Sequence, residues 1–75
     1  MKFNSALLHK DFVLIRRERE KQEDRVITLR EIAKKCGIDR VCLHRTLNGI
    51  TSPELQTISG ICKYLGKDIS DYIVD

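Results

Sequence analysis

Apolar residues recur at helical spacing through most of the chain. Leu8, Phe12 and Ile15 fall at positions i, i+4 and i+7, which predicts a first helix over residues 5–22. Ser5 is a residue type that favours the N-cap position at the start of this helix. The sequence contains no run with the polar and apolar alternation of a half-buried strand. We therefore expect an all-α fold.

The next two predicted helices are short and have strong end signals. Thr28 is placed to cap the helix Leu29–Cys36, and Glu31 at the third helical position completes the pattern of a capping box. This helix ends at Gly37, because glycine can adopt the left-handed conformation that follows many helices. Two residues later, Asp39 is a favoured N-cap for the next helix, Arg40–Asn48.

Two short helices joined by a tight turn that contains glycine indicate a helix-turn-helix at about residues 28–49. After it, Ser52 and Pro53 are typical of a helix start with proline in the first helical position. A glycine inside this fourth helix, Gly60, costs about 1 kcal/mol relative to alanine, and the sequence offers no reason for it. A last short helix at about Ile69–Val74 completes five predicted helices.

Length and composition fit one small domain that spans residues 1–75. Of the 75 residues, 41% are hydrophobic and 33% are charged, which suffices for a single, marginally stable core. We find neither an apolar run long enough to span a membrane nor a secretory signal pattern. We therefore expect a cytoplasmic protein. So small a scaffold favours binding a large partner over enzymatic activity.

Charge and cysteine content narrow the class of partner. The formal net charge is +3, but residues 28–50 carry net +3 and residues 51–75 carry net −2. A basic segment of this kind favours a polyanionic partner, and a simply solvated surface is the alternative. Cys36, Cys42 and Cys62 have neither Cys-x-x-Cys nor zinc-site spacing. We expect them to be small apolar side chains in a reducing cytoplasm, without a metal or a cofactor.

The stretch LREIAKKCGIDRVCLHRTLNG, Leu29–Gly49, resembles the helix-turn-helix of the Cro/C1-type (lambda repressor-like) DNA-binding domains. The stretch LQTISGICKYLGKDISDYI, Leu55–Ile73, is similar to the fourth and fifth helices of that family. The resemblance covers about residues 12–73. It implies a compact five-helix domain that inserts the second helix of its helix-turn-helix into the major groove of DNA.

The outward face of the third helix carries the candidate base-reading side chains. Arg40 and Arg45 are forked donors suited to O6 and N7 of guanine, and Val41 can pack on the methyl group of thymine. His44 can donate to a base or to a phosphate. The resemblance implies base contacts for Arg40, Val41 and Arg45 as well. The alternatives are a local pair between Arg40 and Asp39 or a neighbour, and solvated side chains at Arg45 and His44.

Contacts to the DNA backbone are predicted at both ends of the helix-turn-helix. Thr28, Arg30 and Asn48 are the side chains that we expect on phosphates, and the resemblance implies the same role for Asn48. The first backbone N–H groups of the second helix form an additional site for an anion. These contacts position the protein on DNA without reading the base sequence.

The sequence departs from the family pattern at several positions. Leu29 stands where the family often has a glutamine that contacts phosphate and braces the recognition helix. Leu47 replaces an acid that often pairs with the arginine of the first helix, here Arg19. Thr46 occupies a position that is usually apolar, and the loop Gln22–Ile27 is longer than usual.

These features predict a sequence-specific, double-stranded DNA-binding transcriptional regulator that has no small-molecule effector domain and lies at the nucleoid when bound to DNA. Repression is the expected mode of regulation, and activation is the alternative. A single small module needs a dimer to read a full operator, with half-sites about 34 Å apart. The predicted homodimer surface consists of the apolar C-terminal residues Ile69, Tyr72, Ile73 and Val74. Their alternative role is to close the core. The alternative function is a protein-interaction module of the same fold, such as an antitoxin-like partner without DNA readout.

Overall fold

The structure is a computed structural model that describes residues 2–50 and 53–74. The described part contains four α-helices, one 3-10 helix and two short strands. In chain order these are β1 (Lys2–Phe3), α1 (Ser5–Glu23), α2 (Leu29–Cys36), α3 (Arg40–Leu47), α4 (Leu55–Leu65), the 3-10 helix (Ile69–Tyr72) and β2 (Ile73–Val74). The predicted all-α class is confirmed. Within the described ranges, none of the helices is both long and apolar enough to cross a membrane.

The C-terminal segment differs from the predicted fifth helix. It forms a 3-10 helix of 4 residues, followed by β2, which pairs antiparallel with β1. Phe3 lies opposite Ile73 in this two-stranded ribbon, and the backbone N–H of Asn4 donates to the carbonyl oxygen of Tyr72 at 2.6 Å. Hydrogen bonds to the distant N-terminal segment thus replace the backbone bonds that a continued helix would have made.

The starts of α1 and α3 each have an acceptor side chain at the N-cap. Asn4 Oδ1 accepts from the backbone N–H of Leu7 at 3.0 Å, so Asn4 caps α1 and Ser5 is its first helical residue. The predicted cap was therefore wrong by one residue, because asparagine and serine are about equally good caps. At α3 the predicted cap is confirmed, since Asp39 Oδ1 accepts from the backbone N–H of Cys42 at 2.7 Å.

The start of α2 combines a confirmed cap with a half-formed capping box. Thr28 Oγ1 accepts from the backbone N–H of Glu31 at 3.2 Å, as predicted. The Glu31 carboxylate does not return to the backbone but accepts two hydrogen bonds from Arg25, at 2.9 and 2.7 Å. A charged, bidentate donor binds a carboxylate more strongly than a neutral N–H does. The prediction of a complete box was therefore wrong.

The segment between α3 and α4 also differs from the prediction. Asn48 is the C-cap of α3 with φ −92°, and Gly49 with φ 67° is the left-handed residue that follows. Ser52, the predicted N-cap of α4, lies outside the described residues. Pro53 precedes α4 instead of occupying its first position, and Glu54 is the N-cap, without a side-chain capping bond.

The core lies between the four α-helices and is closed by the 3-10 helix. Its buried apolar residues are Leu8, Phe12, Ile27, Ile32, Ala33, Cys36, Leu43, Leu47, Ile58, Ile61, Cys62, Leu65 and Tyr72. Burial raises the pKa of the Cys36 thiol to about 11 and also raises that of Cys62, so both behave as buried apolar groups. Cys42 is half-buried.

The predicted dimer surface was wrong at Tyr72, because the side chain of Tyr72 is 0% exposed in the single chain. Its hydroxyl donates to the Asp11 carboxylate at 2.7 Å, and burial together with this bond raises the pKa of the phenol. The ring therefore closes the core against α1 and offers no surface to a partner. Ile69 and Ile73 are half-buried, and the side chain of Val74 lies outside the part that the structure describes.

The packing of α4 on α2 explains why a glycine occupies position 60 inside a helix. A Cβ atom at Gly60 would lie closer than 3.0 Å to the carbonyl oxygen of Cys36 and 3.4 Å from its carbonyl carbon. Backbone atoms cannot rotate away as a flexible side chain can. Only glycine therefore allows α4 to approach the end of α2 this closely, and the helix-turn-helix is held against the core at this point.

Candidate nucleic-acid interface

The recognition helix candidate, α3, has one buried and one exposed face. Leu43, Thr46 and Leu47 are buried against the rest of the domain. The predicted base-reading residues are all exposed: Arg40, Val41, His44 and Arg45. The structure thus leaves all four side chains open to an external partner, with Val41 52% exposed.

The two arginines of α3 keep their donors free. Asp39 accepts from the backbone of its own helix, and neither Arg40 nor Arg45 makes an ion pair or a side-chain hydrogen bond with another described residue. The local pair between Arg40 and Asp39 that was the alternative is not formed. Each guanidinium therefore presents its five N–H groups to solvent or to an external acceptor.

A shallow cleft lies where the start of α2 meets α3. It measures about 270 Å³ and is lined by Leu29, Arg40, Val41 and His44. Three of the four predicted base-reading residues thus share one concave surface. Leu29 comes from α2 and was singled out in the sequence only as a departure from the family pattern.

A second cleft of about 520 Å³ continues from the first towards the end of α1. Its lining residues are Arg16, Val26, Thr28, Leu29, Arg30 and Arg40. Leu29 and Arg40 line both clefts, so the two form one continuous surface. The predicted phosphate-binding residues Thr28 and Arg30 lie at the start of α2, and Arg16 and Arg40 lie beside them in this cleft.

Sequence reasoning missed Arg16 as part of this surface. Its Nε donates to the carbonyl oxygen of Ile27 at 2.9 Å, which holds the end of α1 beside the start of α2. In the sequence, Arg16 opens the charged run 16–25, which is typical of a solvated helix face and loop, with a phosphate contact from part of the run as the alternative. The available signal is that Arg16 falls within residues 12–73, which resemble the family.

Asn48 lies at the far end of α3 and is already engaged. Its Nδ2 donates to the carbonyl oxygen of His44 at 2.8 Å and lies 3.4 Å from the Nδ1 atom of the same residue. One N–H of the amide therefore stabilises the end of the recognition helix. The second N–H of this exposed side chain can donate to Nδ1 of His44 or to an external acceptor, depending on the tautomer of the imidazole.

The loop between α1 and α2 is held by ion pairs that neutralise part of its charge. Arg25 pairs with Glu23 at 2.8 Å and with Glu31 at 2.7 Å, and Lys35 lies 3.9 Å from Glu31. The hydrogen bond from Arg25 is the largest cause that lowers the pKa of the Glu31 carboxyl. These charges fix the entry into α2, and we do not assign them to DNA.

Two departures from the family pattern are compensated inside the domain. Arg19, which lacks the acidic partner, donates through Nη2 to the carbonyl oxygen of Tyr64 at 2.8 Å, and its guanidinium lies 4.3 Å from the centre of the Tyr64 ring. Thr46 is buried in α3, and its hydroxyl donates to the carbonyl oxygen of Cys42 at 2.8 Å. The buried polar group is therefore satisfied, as buried hydroxyls require.

Comparison with protein families identifies the class to which this surface belongs. The Cro/C1-type HTH DNA-binding domain matches residues 19–75, which includes α2, α3 and α4. The chain therefore belongs to this family of DNA-binding domains, as the sequence resemblance implied. Comparisons with curated proteins and with solved structures give no significant match.

Proposed function

We propose that residues 1–75 form one domain that binds double-stranded DNA in a sequence-specific manner and represses transcription by occupying its site. In this proposal α3 lies in the major groove. The observation that supports it is the exposed face of α3, which carries two arginines with free donors, and the position of one of them, Arg40, beside the start of α2. A helix-turn-helix reads base edges mainly through the N-terminal part of its second helix.

The base contacts are assigned to the four exposed residues of α3. Arg40 and Arg45 can each bind O6 and N7 of a guanine, and such a bidentate contact discriminates between bases by about 1–3 kcal/mol. His44 follows Arg40 by four residues, so both lie on the same side of the helix. Val41 supplies an apolar contact among these donors.

The phosphate contacts are assigned to the second cleft and to the end of α3. Thr28 and Arg30 lie at the N-terminus of α2, where free backbone N–H groups and the helix dipole favour an anion. Arg16 adds a third positive or polar group on the same surface. Asn48 is assigned to a phosphate through the amide N–H that does not donate to the carbonyl oxygen of His44.

We infer that the protein binds its operator as a homodimer, because one small module buries only about 600–1,000 Å² on DNA. With Tyr72 in the core, the C-terminal surface is reduced to Ile69, Ile73 and the ribbon that β2 forms with β1. The expected stoichiometry is two chains per palindromic site. A titration that ends at one chain per site, with no effect of Ile73→Asp, would refute the dimer.

Selection of bound duplexes from a random DNA pool tests the function itself. We expect an enriched motif, and an affinity whose logarithm falls linearly with the logarithm of the salt concentration, because bound phosphates release counterions. The absence of duplex binding at low salt would exclude this function and favour the protein-interaction module.

Alanine variants test the assignment of the reading residues. Arg45→Ala is expected to weaken binding to the selected duplex by about 1–3 kcal/mol and binding to random duplex much less. Lys63→Ala, which removes an exposed charge from α4, is the matched control and should change neither strongly. Equal losses on both DNAs for Arg45→Ala would move Arg45 to the phosphate-binding group.

A further inference from the structure

An apolar notch interrupts the polar surface of the candidate interface. The cleft of about 270 Å³ between α2 and α3 is lined by Leu29, Arg40, Val41 and His44. Leu29 is half-buried and packs against the core, and Val41 is 52% exposed. We call this site the Leu29–Val41 notch. Two of its four lining side chains are aliphatic, and the other two carry N–H donors.

The shape and chemistry of the Leu29–Val41 notch suit one group on the edge of a base pair. In the major groove, the C5-methyl group of thymine is the apolar feature that distinguishes one base edge from the others. Covering Val41 and the accessible part of Leu29 with a methyl group removes apolar surface of the protein and of the base from water, which is favourable. The notch is several times larger than the ~30 Å³ that a water molecule occupies in the liquid, so a methyl group and the adjoining base edge fit.

The donors beside the notch favour thymine over a methylated cytosine. Next to its C5-methyl group, thymine presents the O4 acceptor, whereas cytosine presents an N4 amino donor. Arg40 can only donate hydrogen bonds, and in this structure its donors are not used by other described residues. Thymine therefore satisfies the polar and the apolar parts of the site together.

We propose that Leu29 and Val41 together hold the C5-methyl group of a thymine, which makes Leu29 a specificity-determining residue of this protein. The proposal rests on the proposed function, because the notch meets a base edge only when α3 lies in the major groove. It assigns a role to the position where the family often has glutamine. The leucine replaces a polar phosphate contact by an apolar base contact.

Replacement of single thymines by deoxyuridine in the selected duplex removes one methyl group at a time and leaves base pairing intact. At one thymine in each half-site we expect the affinity to fall about four-fold, which corresponds to ~0.8 kcal/mol for one buried carbon group. Replacing that thymine by 5-methylcytosine, paired with guanine, should not restore full affinity. Its N4 amino group is a hydrogen-bond donor and would face Arg40, which can only donate as well.

Variants of Leu29 and Val41 test whether these two residues cause the difference in affinity between the thymine and deoxyuridine duplexes. Leu29→Gln and Val41→Asn are expected to bind the thymine and deoxyuridine duplexes equally, while they still bind DNA. Val41→Asn replaces both methyl groups of an exposed side chain by an amide of similar size, so it tests the notch without disturbing the core. Leu14→Gln is the matched control, because Leu14 is 54% exposed on α1 and lies outside the notch. This control should keep the four-fold difference.

The possible results of these experiments distinguish a failure of the proposed thymine contact from a failure of the proposed function. A selected duplex that tolerates deoxyuridine at every position overturns the proposal for Leu29 and leaves DNA binding established. A sensitive thymine that stays equally sensitive in both Leu29→Gln and Val41→Asn also overturns it. Failure of the pool selection to enrich any duplex overturns the proposed function, and the notch with it.

Discussion

Replacing Gly60 by alanine tests the packing of the helix-turn-helix on α4. Helix propensity alone predicts a gain of about 1 kcal/mol, because Gly60 lies inside a helix. The structure predicts the opposite sign, since the new Cβ would lie closer than 3.0 Å to the carbonyl oxygen of Cys36. Overpacking costs about 1–3 kcal/mol, and a rigid backbone atom places this case at the upper end. We expect a net destabilisation of about 2 kcal/mol.

Thermal and urea unfolding measure this change directly. In a domain of this size, 1 kcal/mol shifts the melting temperature by about 4–8 °C, so Gly60→Ala should melt about 8–16 °C lower. Ser59→Ala, the exposed neighbour on the same helix, is the matched control and should be neutral or slightly stabilising. Its comparison with Gly60→Ala separates helix propensity from helix packing.

A Gly60→Ala protein that is more stable than the original would refute the reasoning. It would show that α2 and α4 can separate by several tenths of an ångström at no cost. In that case the close approach at Cys36 would not be what holds the helix-turn-helix on the core.

Three further predictions concern the loop, the C-terminal segment and the thiols. Tyr72→Phe removes the hydrogen bond to Asp11 and should destabilise the fold by about 1.5–3 kcal/mol in urea unfolding, because the acceptor is charged; an unchanged midpoint would contradict this. The folded state lowers the pKa of Glu31 below its usual 4.5, so its bond to Arg25 stabilises the fold above that pH and is lost as the pH falls through the lowered value. Melting curves from pH 6 to pH 2 should therefore fall less steeply for Glu31→Gln, and parallel curves would contradict this. In the folded protein at pH 8, Cys42 should be alkylated first, while the two buried cysteines react only on unfolding; simultaneous labelling of all three would contradict the burial.

Local chemistry was sufficient to predict the elements of the helix-turn-helix. Thr28 and Asp39 cap α2 and α3 as predicted, and Gly37 is the left-handed residue between them with φ 76°. These features depend on interactions within three or four residues along the chain, so the order of residue types encodes them. For the same reason the outward position of Arg40 and Arg45 on α3 could be predicted from helical spacing.

The cap of α1 was misassigned for a local reason, since Asn4 and Ser5 are adjacent and both residue types favour the N-cap. The other large errors arose where a partner is distant in sequence, and the predicted last helix became a 3-10 helix followed by a strand that pairs with the N-terminal segment. Tyr72 was expected on a dimer surface, but its hydroxyl reaches Asp11 across the domain. No local pattern reports such a partner, since spacing describes which residues share a face and not what that face meets.

The amino-acid sequence by itself determined the four α-helices and the caps of α2 and α3. It also determined the basic character of the helix-turn-helix and the side chains that α3 turns outward. Packing decided what surrounds those side chains: the arginine of α1 beside the start of α2, and Leu29 beside Val41. Packing is also the reason why position 60 requires glycine. The physical reason is that caps and amphipathic faces depend on neighbours a few residues away, whereas a cleft or a close helix crossing exists only when distant segments meet.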